Sequence, residues 1–475
     1  MLATALTVMA IVTQDQTALR AAARDSSAQQ AVLWQGDSLE IRGEKGDYLQ
    51  VYDHRRERAG YVRASLVRVQ SLAPEAAPEL LGIVRFLKDA PGSEALGIAY
   101  TAAYWRAAPA ESISSEAFDA LNQLADRLAR RATAGRSGKA GETLAAHLEV
   151  AAHYGVSMTS FERDGQVQLC PNGDAARRVL AMPSTAIQKA LAALNLTRHE
   201  CVSPALTPVE RYAVDQWRSE VLDRVETAKL PPVLQNRVHL RRAGVWASLA
   251  YQRARKEGTE AASVREAGQR AVDALAAINP KELMETDLPA YNDAAVRVGA
   301  SRWAALPPAP PPALNGKQVG VVMSRGEGTT CISLVDPARG PEKPLLSRCT
   351  YGVVWPASLS TSAQGDALTL AVQPLDNWRE MWVLRKGADG WQLDILPPGT
   401  ESSTPGYIEF AGWVPDGERL LAAREAYSGG RLRTSFESLR RDTLAVEKQA
   451  DKPANLSVFY RWQSPVWKAG TVSVR

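Results

Sequence analysis

Four cysteines are the side chains best suited to chemistry in this 475-residue chain, and they fall as Cys170 with Cys201 and Cys331 with Cys349. Each pair lies inside a region that reads as its own domain. Neither has the Cys-x-x-Cys spacing of zinc or redox sites, so two local disulfides are expected and no metal site. The competing readings are unpaired thiols in a reducing compartment, or a thiol nucleophile with His199 near Cys201, which rests on sequence proximity alone. The other histidines are His54, His147, His153 and His239. His147 and His153 stand six apart with Glu149 displaced from the first, whereas a zinc-protease helix needs histidines four apart with the glutamate adjacent. Gly135-Arg-Ser-Gly138-Lys139-Ala140 has two residues between its glycines and no hydroxyl after the lysine, so it reads as a turn between helices rather than a phosphate loop. Gly155-Val-Ser157 lacks the second glycine of a nucleophile elbow. With no catalytic motif found, and no cofactor or metal expected, the chain reads as a binding protein rather than an enzyme.

The residues best placed to bind are Tyr48, Tyr52 and Tyr61, which can line a shallow aromatic groove of the kind that takes peptides, with core packing claiming at least one of them. Asp53-His-Arg-Arg-Glu-Arg58 sets six ionisable side chains between two strands. Arg55 and Arg56 in this run either grip an acidic peptide or glycan or, as the simpler expectation, form a solvated tip that keeps the strand edge from pairing with neighbours.

These residues need a scaffold, and Ala31 to Val69 supplies one. Apolar and polar residues alternate at Leu39/Ile41 and Tyr48/Gln50/Tyr52, with turn signals at Gln35-Gly-Asp37, Gly43 to Asp47 and Asp53 to Gly60, which predicts four short strands. Thr17-Ala-Leu-Arg20, Leu33 with Gly36-Asp37, Tyr48-Leu-Gln-Val51 and Gly60-Tyr-Val62 together resemble the bacterial SH3 (SH3b) domain, over about one seventh of the chain. Tyr48 and Tyr61 stand where that family often carries tryptophan. The resemblance implies a small β-barrel over residues 11–72 that recognises a cell-wall (peptidoglycan) peptide or a protein partner.

From Ala73-Pro74 the composition turns to alanine, leucine and arginine with a period near 3.6. Ser115 to Arg131 places Phe118, Leu121, Leu124 and Leu128 on one face behind a Ser114 or Ser115 cap. Further helices are expected near Thr143–Tyr154, Ser184–Leu196, Pro208–Thr227, Val233–Lys256, Ala261–Ile278 and Leu288–Trp303, making one helical-hairpin domain over 73–305. Phe161 to Asn172 interrupts it as a hairpin or loop that Cys170 would staple to Cys201. Trp246 to Pro280 is similar to the second helix of a tetratricopeptide unit, without the full repeat. Leu306-Pro-Pro-Ala-Pro-Pro-Pro-Ala313 marks a semi-rigid linker over 306–315. Residues 316–475 become period-two and tryptophan-rich, an all-β region. Within it Trp355 to Leu384 aligns with Trp413 to Thr434, and Trp413-Val-Pro-Asp-Gly-Glu-Arg-Leu-Leu resembles the hairpin of WD-like propeller repeats such as those of the TolB family. About three blades fit, fewer than a closed propeller needs, so a partial propeller, an open stack of meanders, or closure through a second copy is expected.

The whole is thus a multidomain α+β chain. Its 56 basic against 52 acidic side chains leave +4, too little for a nucleic-acid footprint. No run approaches the roughly 20 apolar residues of a membrane span, so no integral membrane segment is expected. Residues 1–10 read as the remnant of a signal peptide, with Val8 and Ala10 at the cleavage positions. Together with the cysteine pairs this predicts a periplasmic or secreted, non-catalytic envelope binding or scaffold protein. The alternatives are a cell-wall hydrolase that the SH3b-like module targets, and a cytoplasmic scaffold.

Overall fold

Two units divide the chain, Met1–Leu206 and Thr207–Arg475, in a computed structural model that describes residues 8–135, 137–163, 165–307, 319–400 and 404–470. Both mix helices with sheets. The division falls inside the helical region, not at its ends. Helices before Leu206 gather with the N-terminal strands and those after it with the C-terminal strands, so the single helical domain expected over 73–305 is split.

The first unit opens with strands β1 (Met9–Val12), β2 (Thr17–Arg20), β3 (Gln29–Leu33), β4 (Ser38–Lys45), β5 (Tyr48–Asp53), β6 (Arg58–Arg63) and β7 (Val67–Gln70). They form one sheet in the order β3-β2-β6-β5-β4-β1-β7. Between Gln29 and Gln70 lie five strands where four were expected. No sheet among the described residues closes into a barrel. Alternation does what its period requires: Leu49 and Val51 of β5 and Val62 of β6 turn inward to join Ala10, Val12, Leu19, Leu33 and Leu39 in one apolar core. β1 departs from expectation. Ala10 is fully buried and pairs with Leu39 on one side and Val69 on the other. Cleavage after Ala10 would remove half of this interior strand, so Ala10 does not suit the role of a cleavage-site residue.

Glycine is required at two places here. A Cβ on Gly60 of β6 would lie 2.8 Å from Leu19 Cδ1 and 2.9 Å from the Arg20 carbonyl, so only glycine lets β2 approach. Gly36, at φ +91°, turns the chain where a Cβ would stand 2.7 Å from the Ala95 carbonyl.

Helices α1 (Ala77–Lys88), α2 (Glu94–Ala107), α3 (Ser115–Thr133) and α4 (Lys139–His153) follow, then the hairpin β8 (Met158–Arg163) and β9 (Gln166–Pro171), then α5 (Asp174–Ala181) and α6 (Ala186–Leu196). The α3 cap is Ser114, whose hydroxyl accepts from the Glu116 N–H, and Leu124 and Leu128 are buried as the periodicity predicts. Cys170 at the end of β9 is bonded to Cys201, 31 residues on. Between the two cysteines lie α5 and α6, whose Ala176, Val179 and Ala192 form a small buried cluster with Phe118 of α3 packed against it.

The second unit starts with α7 (Pro208–Asp223), α8 (Pro232–Arg255), α9 (Ala261–Ala276) and α10 (Leu288–Ser301). Thr207 and Glu210 form a capping box at the head of α7. Most of the proline-rich linker lies outside the described residues. Strands β10 (Gly320–Gly326), β11 (Thr329–Val335) and β12 (Leu346–Thr350) make a three-stranded sheet in which Cys331 and Cys349 sit directly opposite and are bonded. The remaining strands are β13 (Val353–Thr361), β14 (Ala367–Leu375), β15 (Trp378–Gly387), β16 (Gly390–Leu396), β17 (Gly406–Trp413), β18 (Arg419–Ser428), β19 (Arg431–Arg440) and β20 (Val446–Ala450). The two aligned sequence segments thereby become two four-stranded antiparallel meanders, β13–β16 and β17–β20, joined by a short parallel contact of β15 with β17. The region is not wholly β, because α11 (Ser457–Trp462) and α12 (Pro465–Gly470) close it with Phe459 and Trp467 packed on Phe436.

α8, α9 and α10 lie against the first meander through a core containing Trp246, Leu249, Tyr291, Val353 and Trp355. Charge is buried in the same layer. Glu409 of β17 accepts from Arg302 at 2.7 Å and lies 3.5 Å from Arg379, and all three are nearly excluded from solvent.

Candidate binding face of the N-terminal sheet

The five residues expected to bind separate into two groups by strand parity. On β5, Leu49, Val51 and Asp53 point into the unit, so Tyr48, Gln50 and Tyr52 lie on the outer face. Gln50 is opposite Tyr61 of β6, which places the three tyrosines on one face around an exposed glutamine. Tyr48 is the one that packing claims: it is buried, its hydroxyl donates to Asp25, and Arg63 lies over its ring with the guanidinium carbon 5.4 Å from the centroid. Arg63 Nε also donates to Asp25 at 3.0 Å. The bonds from Arg63 and then Tyr48 hold the Asp25 carboxyl down at about 2, and the same contact with Asp25 raises the Tyr48 phenol.

Tyr52 and Tyr61 are only half-buried, and their hydroxyls meet no hydrogen-bond partner among the described residues. Arg42 covers one face of Tyr52 at 4.1 Å, and His54 meets its edge at 4.9 Å. His54 Nε2 lies 2.6 Å from Glu40 Oε2, and Arg42, then His54, hold the Glu40 carboxyl below its usual range. The face is therefore aromatic, with arginines and carboxylates of both signs at its border. Such a surface can stack on a peptide backbone and hydrogen-bond it through two phenols and the Gln50 amide.

Arg55 and Arg56 lie elsewhere, and they do not form a solvated tip. Asp53, buried, accepts from the backbone N–H groups of both arginines, at 3.0 Å and 3.2 Å. Arg56 bridges Asp53 at 2.7 Å and Asp37 at 3.0 Å, while Arg55 lies 3.4 Å from Asp37 and 4.0 Å from Glu149 of α4. Burial opposes the Arg56 charge, but the two aspartates prevail and its pKa is raised. Asp37 also accepts from the Trp34 N–H, so the cluster locks the Gly36–Asp37 turn to the β5–β6 hairpin. With three carboxylates against two guanidiniums the cluster has no spare positive charge. An open cleft of about 670 Å³ lies over it, walled by Trp34, Arg55, Arg56, Glu149 and His153.

The sequence reading missed Asp25, Arg42 and Arg63, which frame the tyrosines. The only signal for them was strand parity, since Arg63 is opposite Tyr48. All four cysteines are in disulfides, so none is a free thiol. His147 is buried and paired with Asp15 at 2.8 Å instead of facing His153. Among the described residues no cluster of histidine, cysteine or carboxylate side chains is arranged to hold a metal, and no helix is long and apolar enough to cross a membrane. No protein-family model, no curated protein and no solved structure matches the chain.

Proposed function

We propose that this is a non-catalytic binding protein of the cell envelope whose N-terminal, SH3b-like sheet recognises a cell-wall peptide or a protein partner. One observation carries the reading: Tyr52 and Tyr61 stand on the solvent side of β5 and β6 with unbonded hydroxyls, while the core beneath is already filled by Leu49, Val51 and Val62. Aromatic side chains that the core does not need are better accounted for by recognition than by stability. The two disulfides support an oxidising compartment, periplasmic or secreted. In this reading the two C-terminal meanders are propeller-like blades that offer a larger protein-contact surface.

The test is co-sedimentation with purified peptidoglycan and pull-down from periplasmic extract, comparing the native chain with Tyr52→Ser/Tyr61→Ser. Loss of recovery on one of the two baits with an unchanged melting curve is the expected result. Equal recovery on both baits would remove the face from the proposed role.

A further inference from the structure

A second site lies in the other unit, and the tyrosine face does not account for it. Between the end of α8, the start of α9 and the β10–β13 region lies a cavity of about 180 Å³, walled by Arg253, Thr259, Arg265, Trp303, Arg325 and Trp355 together with small apolar side chains. Its lining holds three guanidiniums and no carboxylate. Arg253 is the informative one. It is nine-tenths buried, yet its bonds go to neutral acceptors, the Ser263 carbonyl at 3.0 Å and the Gln216 amide oxygen at 3.4 Å. Its Nε has no acceptor among the described residues, and its guanidinium carbon lies over the Trp246 ring, 5.6 Å from the centroid.

A buried cation without a carboxylate is costly, and a buried N–H without an acceptor adds to that cost. Trp303, in the wall, also has an indole N–H with no acceptor among the described residues. Arg265 and Arg325 stand exposed at the cavity, and neither forms an ion pair among the described residues. The remaining wall is apolar, with Trp355, Val353 and Val354 buried and Leu306 half-buried. Charge of one sign beside apolar walls is the combination that suits an amphipathic anion. The volume sets the size of the occupant, since a cavity of about 150 Å³ holds one benzene ring.

We propose that this cavity binds a small aromatic carboxylic acid, its ring among Trp303, Trp355 and Val354 and its carboxylate on Arg253 with Arg265 and Arg325. The same chemistry is carried by a free acid and by the C-terminal residue of a peptide ending in phenylalanine. The full-length, disulfide-bonded protein is titrated by calorimetry with phenylacetate, with phenylacetamide, and with a tripeptide ending in phenylalanine as free acid and as amide. Saturable binding of at least one acid is expected, with the matching amide about ten-fold weaker or more, because hydrogen bonds to a charged group are worth about 1.5–3 kcal/mol. Phenylacetate binding alone assigns a free acid; tighter binding of the peptide acid assigns a chain terminus. Arg253→Met and, separately, the surface pair Arg265→Gln/Arg325→Gln should each weaken the acid by a similar factor. The proposal is overturned by no saturable binding of either acid, by equal affinity for acid and amide, or by unchanged affinity in the surface pair, which remains informative should Arg253→Met fail to fold.

Discussion

Replacing Cys170 and Cys201 with serine should substantially destabilise the first unit. The bond closes a loop with a sequence separation of 31 residues. The chain-entropy relation for a loop of that length gives about 3.7 kcal/mol lost when the cross-link is removed from the unfolded chain. That is a large part of the roughly 5–15 kcal/mol that holds an ordinary domain folded. The loop contains α5 and α6, whose buried apolar side chains are alanines and one valine, with Phe118 of α3 packed against Ala176, Val179 and Ala192. Unfolding entropy is about 2.1 cal/mol/K per residue, so across this unit the loss corresponds to a fall of about 9 °C in its midpoint. Ten of the twelve tryptophans belong to the second unit, which makes bulk fluorescence a poor reporter here. Pulsed hydrogen exchange along a thermal ramp, read on peptides from α5 and α6, follows the right segment. A midpoint shift of less than about 2 °C in those peptides, against the expected 9 °C, would refute the entropy argument. Reductant should reproduce the shift in the native chain and leave the serine variant unchanged.

Glu94→Gln should cost the first unit about 2–3 kcal/mol in urea unfolding, because the fully buried carboxylate that Arg127 and Arg131 share is removed while both arginines keep some contact with water. Burial pushes the Glu94 carboxyl up, but the Arg127 contact and the Gly92 N–H bond outweigh it and its pKa is lowered. The stabilisation is therefore complete above the unfolded-state value of about 4.3 and is lost as pH falls through the lower folded-state value, so native and variant should differ in stability at pH 7 and converge as the pH is taken down through the acid range. In the second unit, Glu409→Gln takes away the carboxylate shared by Arg302 and Arg379, and tryptophan fluorescence in urea should record a loss of about 3–5 kcal/mol. Gly60→Ala should cost about 1–3 kcal/mol by overpacking against Leu19, measurable by the same exchange experiment on β2 and β6 peptides.

Local pattern decided much of the fold, and its limits are physical. Strand parity put Tyr48, Tyr52 and Tyr61 on one face because a period of two leaves little choice, and the short separations of the cysteines made their pairing legible. Helix α2 was not singled out, since ten of its 14 residues are buried and a helix wetted on so little of its surface shows no amphipathic stripe. The tetrapeptide Met9–Val12 reads equally as a leader remnant or a strand, and only pairing with residues about 30 and 60 positions away decides between them. The role of Arg55 and Arg56 was hidden for the same reason. Asp37, which draws both arginines out of solvent, comes from another turn. Nothing local distinguishes α6 from α7 either, so the boundary at Leu206 follows from long-range packing alone.

The placement of β1 constrains the order in which this protein can be made. The strand is synthesised before β4 and β7, yet it must end between them. Until Gln70 has emerged, an apolar strand with at least one edge unpaired is carried by the growing chain, open to wrong partners. The second edge of the sheet's first strand is therefore covered only by its last strand, β7. Chaperone capture of a nascent chain stalled before Gln70, and its release once that residue is available, would make this timing visible.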